Sequence, residues 1–396
     1  MAVQGNLRTA PPRTSFFNDP VVRGIIYQVV VAAIVIGFFA WIIVNTAQNL
    51  AAQNKSTGFD FLFRTAGFNI SFTLIPFDRS SYYWEAFLVG LLNTLLVAVI
   101  GIFFATILGF VLGIARLSSN WLISRFATVY VETIRNIPLL LQLFFWYFAV
   151  LKAMPAVRDS ISLPMGIYIN QRGLFVPKPV PDDQFVWVYA AVVLALVLCF
   201  ALSRWAKRRL ETTGKRFPVL LSSIGLFLVV VAVGFVLSGA SVSFDMPELQ
   251  RFNFRGGLEL PPEFVALVFG LTIYTAAFIA ENVRGGIQAV SHGQTEAAQS
   301  LGLKEGDRLR LVIVPQAMRV IIPPLTSQYL NLTKNSSLGA AIGYPELVNV
   351  FTGTTLNQTG KAIEVIAMTM AVYLTFSLLT SAFMNWYNGR VALVER

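Results

Sequence analysis

Long apolar runs, broken by short polar, basic or proline-containing stretches, fill most of this chain. A helix needs about 20 mainly apolar residues to cross a bilayer. Eight runs reach that length: Ile25–Asn45, Phe87–Ala115, Ala127–Leu151, Phe185–Ser203, Pro218–Ser238, Glu263–Val283, Val320–Gly339 and Ala362–Trp386. The first starts too far into the chain and runs too long for a cleaved signal peptide. No small-residue cleavage site follows it, so it reads as an anchor. The expected fold is all-α and integral to a membrane, with about eight transmembrane helices. The connection 152–184 holds five prolines, among them Pro177, Pro179 and Pro181, and reads as a stiff extended connector rather than a domain.

Composition narrows the function. Apolar residues make up 56% and charged residues 13%, about half the charged share of a soluble chain. One cysteine, Cys199, excludes an internal disulfide, and one histidine, His292, leaves almost nothing for a metal centre. The net charge of +10 is a topology signal, not a nucleic-acid signal. With the N-terminus in the cytoplasm, the inside segments (1–24, 116–126, 204–217, 284–319 and the tail) hold 18 of the 30 basic residues. This bias predicts both termini inside. The run Arg204 to Arg209 suits anionic lipid at that surface.

Six charged residues fall within the expected spans: Glu132, Arg135, Glu263, Glu281, Lys334 and Glu364. Such groups are costly in a bilayer and usually face a cavity or a partner. Glu263 and Glu364 sit in first turns, where the helix dipole favours a carboxylate. Glu132 with Arg135 and Glu281 with Arg284 repeat the Glu-x-x-Arg spacing, which places each pair on one helix face. They read as local ion pairs or as the lining of an inner gate. Asn93, Thr94, Gln142 and the run Asn331 to Ser337 are further polar breaks that need protein, water or solute as partners. Gly109 and Gly113 permit close helix approach.

The most informative segment is Glu296-Ala297-Ala298, three residues, Gly302, nine residues, then Val312-Ile-Val-Pro315. It reads as a short helix with a small face, a glycine turn, and a second helix stopped by proline. Pro315, Pro323 and Pro324 are expected to break the start of the seventh span. The segment resembles the EAA loop of ABC importer permeases in order and spacing. Gly90 to Leu95, Tyr130 to Gln142, Ala280 to Ile287 and Lys334 to Leu338 resemble the polar amino acid branch of that family. The resemblance covers about residues 86–386 and implies a type I importer permease with a five-helix core, here spans two, three, six, seven and eight. Residues 1–85 would be a tail, leading helix and periplasmic segment, 185–238 an inserted helical pair, and 387–396 a cytoplasmic tail. That enlargement is similar to the permeases of general L-amino acid importers.

The resemblance implies a multi-pass protein of the bacterial inner membrane. Its partners would be a second homologous permease, two ATPase subunits and a periplasmic amino-acid-binding protein. ATPase coupling would fall to Glu296, Ala297, Ala298 and Gly302. A zwitterionic substrate needs donors and acceptors along its path, which assigns Asn93, Thr94, Gln142, Tyr274, Thr275, Lys334, Asn335 and Ser336. The chain carries no cofactor and no nucleotide loop of its own. Gly214-Lys215 has Arg209 where the loop needs glycine, and Gly360-Lys361 has Thr355 there. ATP and Mg are thus expected on the partner ATPase. The alternative is an ion-coupled secondary amino acid transporter, with embedded carboxylates carrying the ion.

Overall fold

The computed structural model of the protein describes residues 20–52, 58–214, 217–251 and 253–391. Residues 1–19 and 392–396, which belong to the two expected tails, lie outside them. Seven helices are long and apolar enough to cross a membrane, and an eighth span is a bent pair. The first is α1 (Pro20–Ala52), and none of its apolar window is buried within the chain. The next, α2 (Tyr83–Ala115), starts with a capping box in which Glu85 accepts from the Tyr82 N–H at 2.6 Å.

The third expected span is not one helix. It divides into α3 (Trp121–Asn136) and α4 (Leu139–Leu151), bent by 106°. Pro138 causes the break, because a residue before proline is driven to extended backbone, and Ile137 has φ −101° and ψ 128°. Gln142 repairs it: its Nε2 donates at 2.9 Å to the freed carbonyls of both Ile134 and Ile137. Asn120 caps the other end of α3, accepting from the N–H groups of Leu122 and Ile123.

The inserted pair α5 (Phe185–Thr213) and α6 (Val219–Ser238) packs on itself, with Gly234 against Ala191. The connectors beyond it are strands rather than extended linkers. A four-stranded antiparallel sheet runs β1 (Ile161–Leu163), β2 (Ile167–Asn170), β3 (Gly173–Val176), then β8 (Leu258–Leu260). Two ribbons join β4 (Lys178–Pro181) to β5 (Val242–Asp245), and β6 (Glu248–Gln250) to β7 (Asn253–Arg255). Pro179 and Pro181 are tolerated because a two-stranded ribbon leaves a free edge. Phe254 stacks on Phe175 at 4.7 Å, giving this β-structure its own small core.

The centre of the bundle is α7 (Pro262–Gln288), most buried of the spans. After it come α8 (His292–Ser300), α9 (Glu305–Arg308), a π turn at Leu309–Ile313, and α10 (Val314–Asn335). The prolines do not stop this helix as expected. Pro315 falls in the first turn of α10, which tolerates a missing N–H, and Pro323 and Pro324 are carried inside a continuous helix. The segment 343–360 folds back between α2 and α12 (Ala362–Val391), and Tyr344, Glu346 and Leu347 are fully buried. Its π turn, Val348–Thr355, continues into α11 (Leu356–Thr359).

Candidate functional site

Three polar features occupy the bundle, one at the end that carries α8, one in the middle and one toward the strand-bearing end. At the α8 end, charges converge on Glu281. Its Oε1 accepts from Arg284 at 2.5 Å, and its Oε2 accepts from Arg116 and lies 3.5 Å from Arg135. The Glu281–Arg284 pair is as expected. The Glu132–Arg135 pair is not formed: Glu132 accepts from Arg116 at 3.3 Å instead, and the Arg135 guanidinium lies 5.3 Å over the Phe278 ring. Arg116 draws both acids together because it ends α2 between α3 and α7. Its role was hidden in the sequence, where it counted only as one basic residue after a span. The cluster thus ties α2, α3 and α7 together, and motion among those helices must break charge-assisted bonds.

In the middle, α7 and α10 enclose a pocket of about 330 Å³ lined by Tyr274, Thr275, Phe278, Gln328, Asn331 and Asn335. Phe278 lines this pocket, and Arg135 of the charged cluster covers its ring. Tyr274, Thr275 and Asn335 thus line open space. Gln328 and Asn331 join them, at the three- and seven-residue spacing from Gln328 to Asn335 that marks one helix face. That spacing was legible; the apolar average of the span masked it.

Toward the strand-bearing end lie two confluent clefts that share Val348 and Thr352. One, of about 610 Å³, is lined by Asn349, Asn357 and Gln358 among others; the second, about 470 Å³, is lined by Lys334, Ser337 and Tyr373. Lys334 thus lies on open space. The remaining candidates do not. Asn93, Thr94 and Ser336 are fully buried and Gln142 nearly so. Asn93 Nδ2 donates at 2.9 Å to the Pro345 carbonyl, and Thr94 Oγ1 accepts from the Leu347 N–H at 3.1 Å. Ser336 Oγ donates to the Thr333 carbonyl at 2.7 Å. Asn93, Thr94 and Gln142 join separate backbone segments, which is the competing use of polar groups in a bundle, while Ser336 caps a carbonyl of its own helix.

The loop between α7 and α10 is built for exposure. At the end of α8, the Leu303 N–H donates to Ala298 and the Gly302 N–H to Gln299, a Schellman turn with Gly302 at φ +74°. Ala298 is buried, whereas Glu296 and Ala297 face out. Leu301, not singled out from the sequence, is 81% exposed beside them.

A profile of the family described as binding-protein-dependent transport system inner membrane component matches residues 200–393. The chain is similar to the general L-amino acid transport system permease protein AapQ of Rhizobium johnstonii, 53% identical over 382 residues, which cover 96% of this chain and 95% of that one. It is also similar to the glutamate/glutamine/aspartate/asparagine transport system permease protein BztB of Rhodobacter capsulatus, 40% identical, covering 98% of this chain and 100% of that one.

Proposed function

This chain belongs to the family of amino-acid ABC transporter permeases, and from that premise we propose that it imports L-amino acids across a bacterial inner membrane as one of two homologous permease subunits. The observation that carries the substrate class is the pocket between α7 and α10. Its amide and hydroxyl groups can meet an ammonium and a carboxylate, and it holds no charged side chain that would select one substrate side chain over another. The names of both relatives, one of a general L-amino acid system and the other naming four amino acids, support such breadth. The substrate path in this reading runs from Lys334 in the outer cleft, past Tyr274, Thr275 and Asn335, to the gate formed by Glu132, Arg135, Glu281, Arg284 and Arg116.

A binding protein would deliver substrate at the strand-bearing face. Two ATPase subunits, holding ATP and Mg, would dock at the opposite face, one of them on Glu296, Ala297, Ala298 and Gly302. The basic residues of 204–217 and 284–319 support placing that face, and both termini, in the cytoplasm. A reporter fused after Arg209 is expected to read cytoplasmic and one after Arg255 periplasmic; the reverse pattern would overturn the orientation. Membership of a binding-protein-dependent family displaces the ion-coupled alternative.

The path is tested by Asn331→Leu and Gln328→Leu in the reconstituted transporter. Losing a hydrogen bond to a charged group costs about 1.5–3 kcal/mol. Uptake at limiting substrate is expected to fall about tenfold or more, with assembly unchanged. Normal uptake of every tested amino acid in both variants would mean that selectivity lies wholly in the binding protein.

A further inference from the structure

The inserted pair α5 and α6 buries little of itself. Within the chain α5 buries Val188, Ala195 and Ala206, which share one helix face, and α6 buries none of its residues. The opposite face of α5 is exposed and changes character along its length. Val193, Val197 and Phe200 present apolar surface, and Arg204, Lys207 and Arg208 continue the same stripe. Residues 185–203 carry no charge and rise about 28 Å at 1.5 Å per residue, close to the thickness of a bilayer core. Arg204 therefore stands near the level where hydrocarbon gives way to headgroups, and α5 runs on to Thr213 beyond it.

The cations at that level are held in place but not neutralised. The Arg204 guanidinium lies 4.9 Å over the Phe200 ring, one turn back toward the hydrocarbon. Arg209 lies 5.3 Å over the Trp205 ring and 5.8 Å over the Phe217 ring, and those two rings meet edge to face. A ring takes the flat face of a guanidinium and leaves its edge N–H donors free. Lys207 reaches Glu211 at 3.9 Å, but among the described residues no carboxylate pairs with Arg204, Arg208 or Arg209. Residues 204–217 carry six basic residues against one acid, so the surplus calls for an anion from outside the chain.

We propose that the inner end of α5 is a binding site for an anionic phospholipid. An acyl chain lies along Val193, Val197 and Phe200, and the edge donors of Arg204 and Arg208 take the phosphodiester, with Lys207 beside them. The charge bias that orients the chain needs only net charge, whereas this site needs guanidinium groups fixed above a lipid-facing stripe. A phosphodiester fits because a guanidinium can donate to two of its oxygens at once. The lipid must be net negative, since the ammonium of a zwitterionic headgroup would meet the same surplus of cations. An acidic protein surface fits less well, because Arg204 is folded back toward the hydrocarbon rather than out into the cytoplasm. The site is independent of which solute the transporter carries.

The test uses the assembled transporter, purified in detergent and stripped of lipid, in native mass spectrometry with added dioleoylphosphatidylglycerol or dioleoylphosphatidylcholine. The tightest phosphatidylglycerol is expected to bind about tenfold or more tightly than phosphatidylcholine. Each basic residue near a membrane surface strengthens anionic-lipid binding about fivefold. Arg204→Gln with Arg208→Gln should therefore weaken that phosphatidylglycerol by about tenfold or more and leave phosphatidylcholine unchanged. Equal retention of the two lipids by wild type would leave the cations to an acidic protein surface and overturn the proposal, as would undiminished phosphatidylglycerol on the double variant. Displacement of the lipid by millimolar inorganic phosphate would show a plain anion site and is equally fatal. If the glutamine pair does not insert, Phe200→Leu with Trp205→Leu decides. Every charge stays, but the guanidinium groups lose the rings that hold them, so phosphatidylglycerol retention should fall about two- to fivefold. Unchanged retention there would sink the site.

Discussion

Gly113→Val is expected to leave almost no assembled permease. A Cβ at Gly113 would stand 2.7 Å from the Val283 Cβ and 2.8 Å from the Ala280 carbonyl oxygen. One turn earlier, a Cβ at Gly109 would stand 2.5 Å from the Ile279 Cγ2 and 3.0 Å from the Ala276 carbonyl oxygen. The obstacles are backbone and β-branched carbons, so no rotamer change relieves them. The helices α2 and α7 would have to separate, and with them the seam that lets Arg116 reach Glu281. Overpacking a tight contact costs about 1–3 kcal/mol for an added methylene or two, and a branched side chain on backbone costs more. Gly285→Ala is the control: it lies in α7, the other helix of the seam, nothing lies within 4 Å of its Cβ position, and alanine is the better helix former. The yield of monodisperse protein in detergent, with its thermal midpoint, checks the pair. Wild-type yield and midpoint for Gly113→Val would refute the account of the seam.

Leu301→Asp should uncouple the transporter while leaving the permease intact. Leu301 is 81% exposed at the tip of the α8 turn, so its replacement removes no internal packing. Burying such a side chain in a partner's groove contributes about 1.5–3 kcal/mol, and a carboxylate there reverses the sign. Affinity for the ATPase subunit is expected to fall by about tenfold or more, with uptake following it. Gly302→Ala should act in the same direction but by less. A Cβ in left-handed backbone costs about 1 kcal/mol, and there is open space around it. Co-purification of the ATPase with each variant, beside membrane insertion, reads the difference. Undiminished co-purification with Leu301→Asp would remove this loop as the docking element.

Much of the architecture was legible because a bilayer imposes a rule that reads directly from composition. Spans need length and low charge, and the apolar runs supplied both. Gly109 and Gly113 announced a close seam, and the structure has one. The breaks were harder. Pro138 bends its span by 106°, whereas Pro323 and Pro324 sit within an unbroken helix. The residue type is the same. At Pro138 the Gln142 amide meets the freed carbonyls of Ile134 and Ile137 and so fixes the bend.

The polar residues divide along the same line. Sequence alone determined that Asn93, Thr94, Gln142, Glu132 and Glu281 could not face lipid, because an unpartnered polar or charged group there is too costly. It also determined the loop of Glu296 to Gly302, whose order and glycine turn are local properties of a short stretch. Only the tertiary structure decided which polar groups meet solvent-sized space and which merely join backbone. It set the α10 face of Gln328, Asn331 and Asn335 against Tyr274 and Thr275 of α7, gave Arg116 to both Glu132 and Glu281, and buried Glu346 in the connection between the last two spans. The reason is physical: a hydrogen-bond partner is chosen by distance in space, and residues hundreds apart in the chain, such as Asn93 and Pro345, become neighbours only when the helices pack.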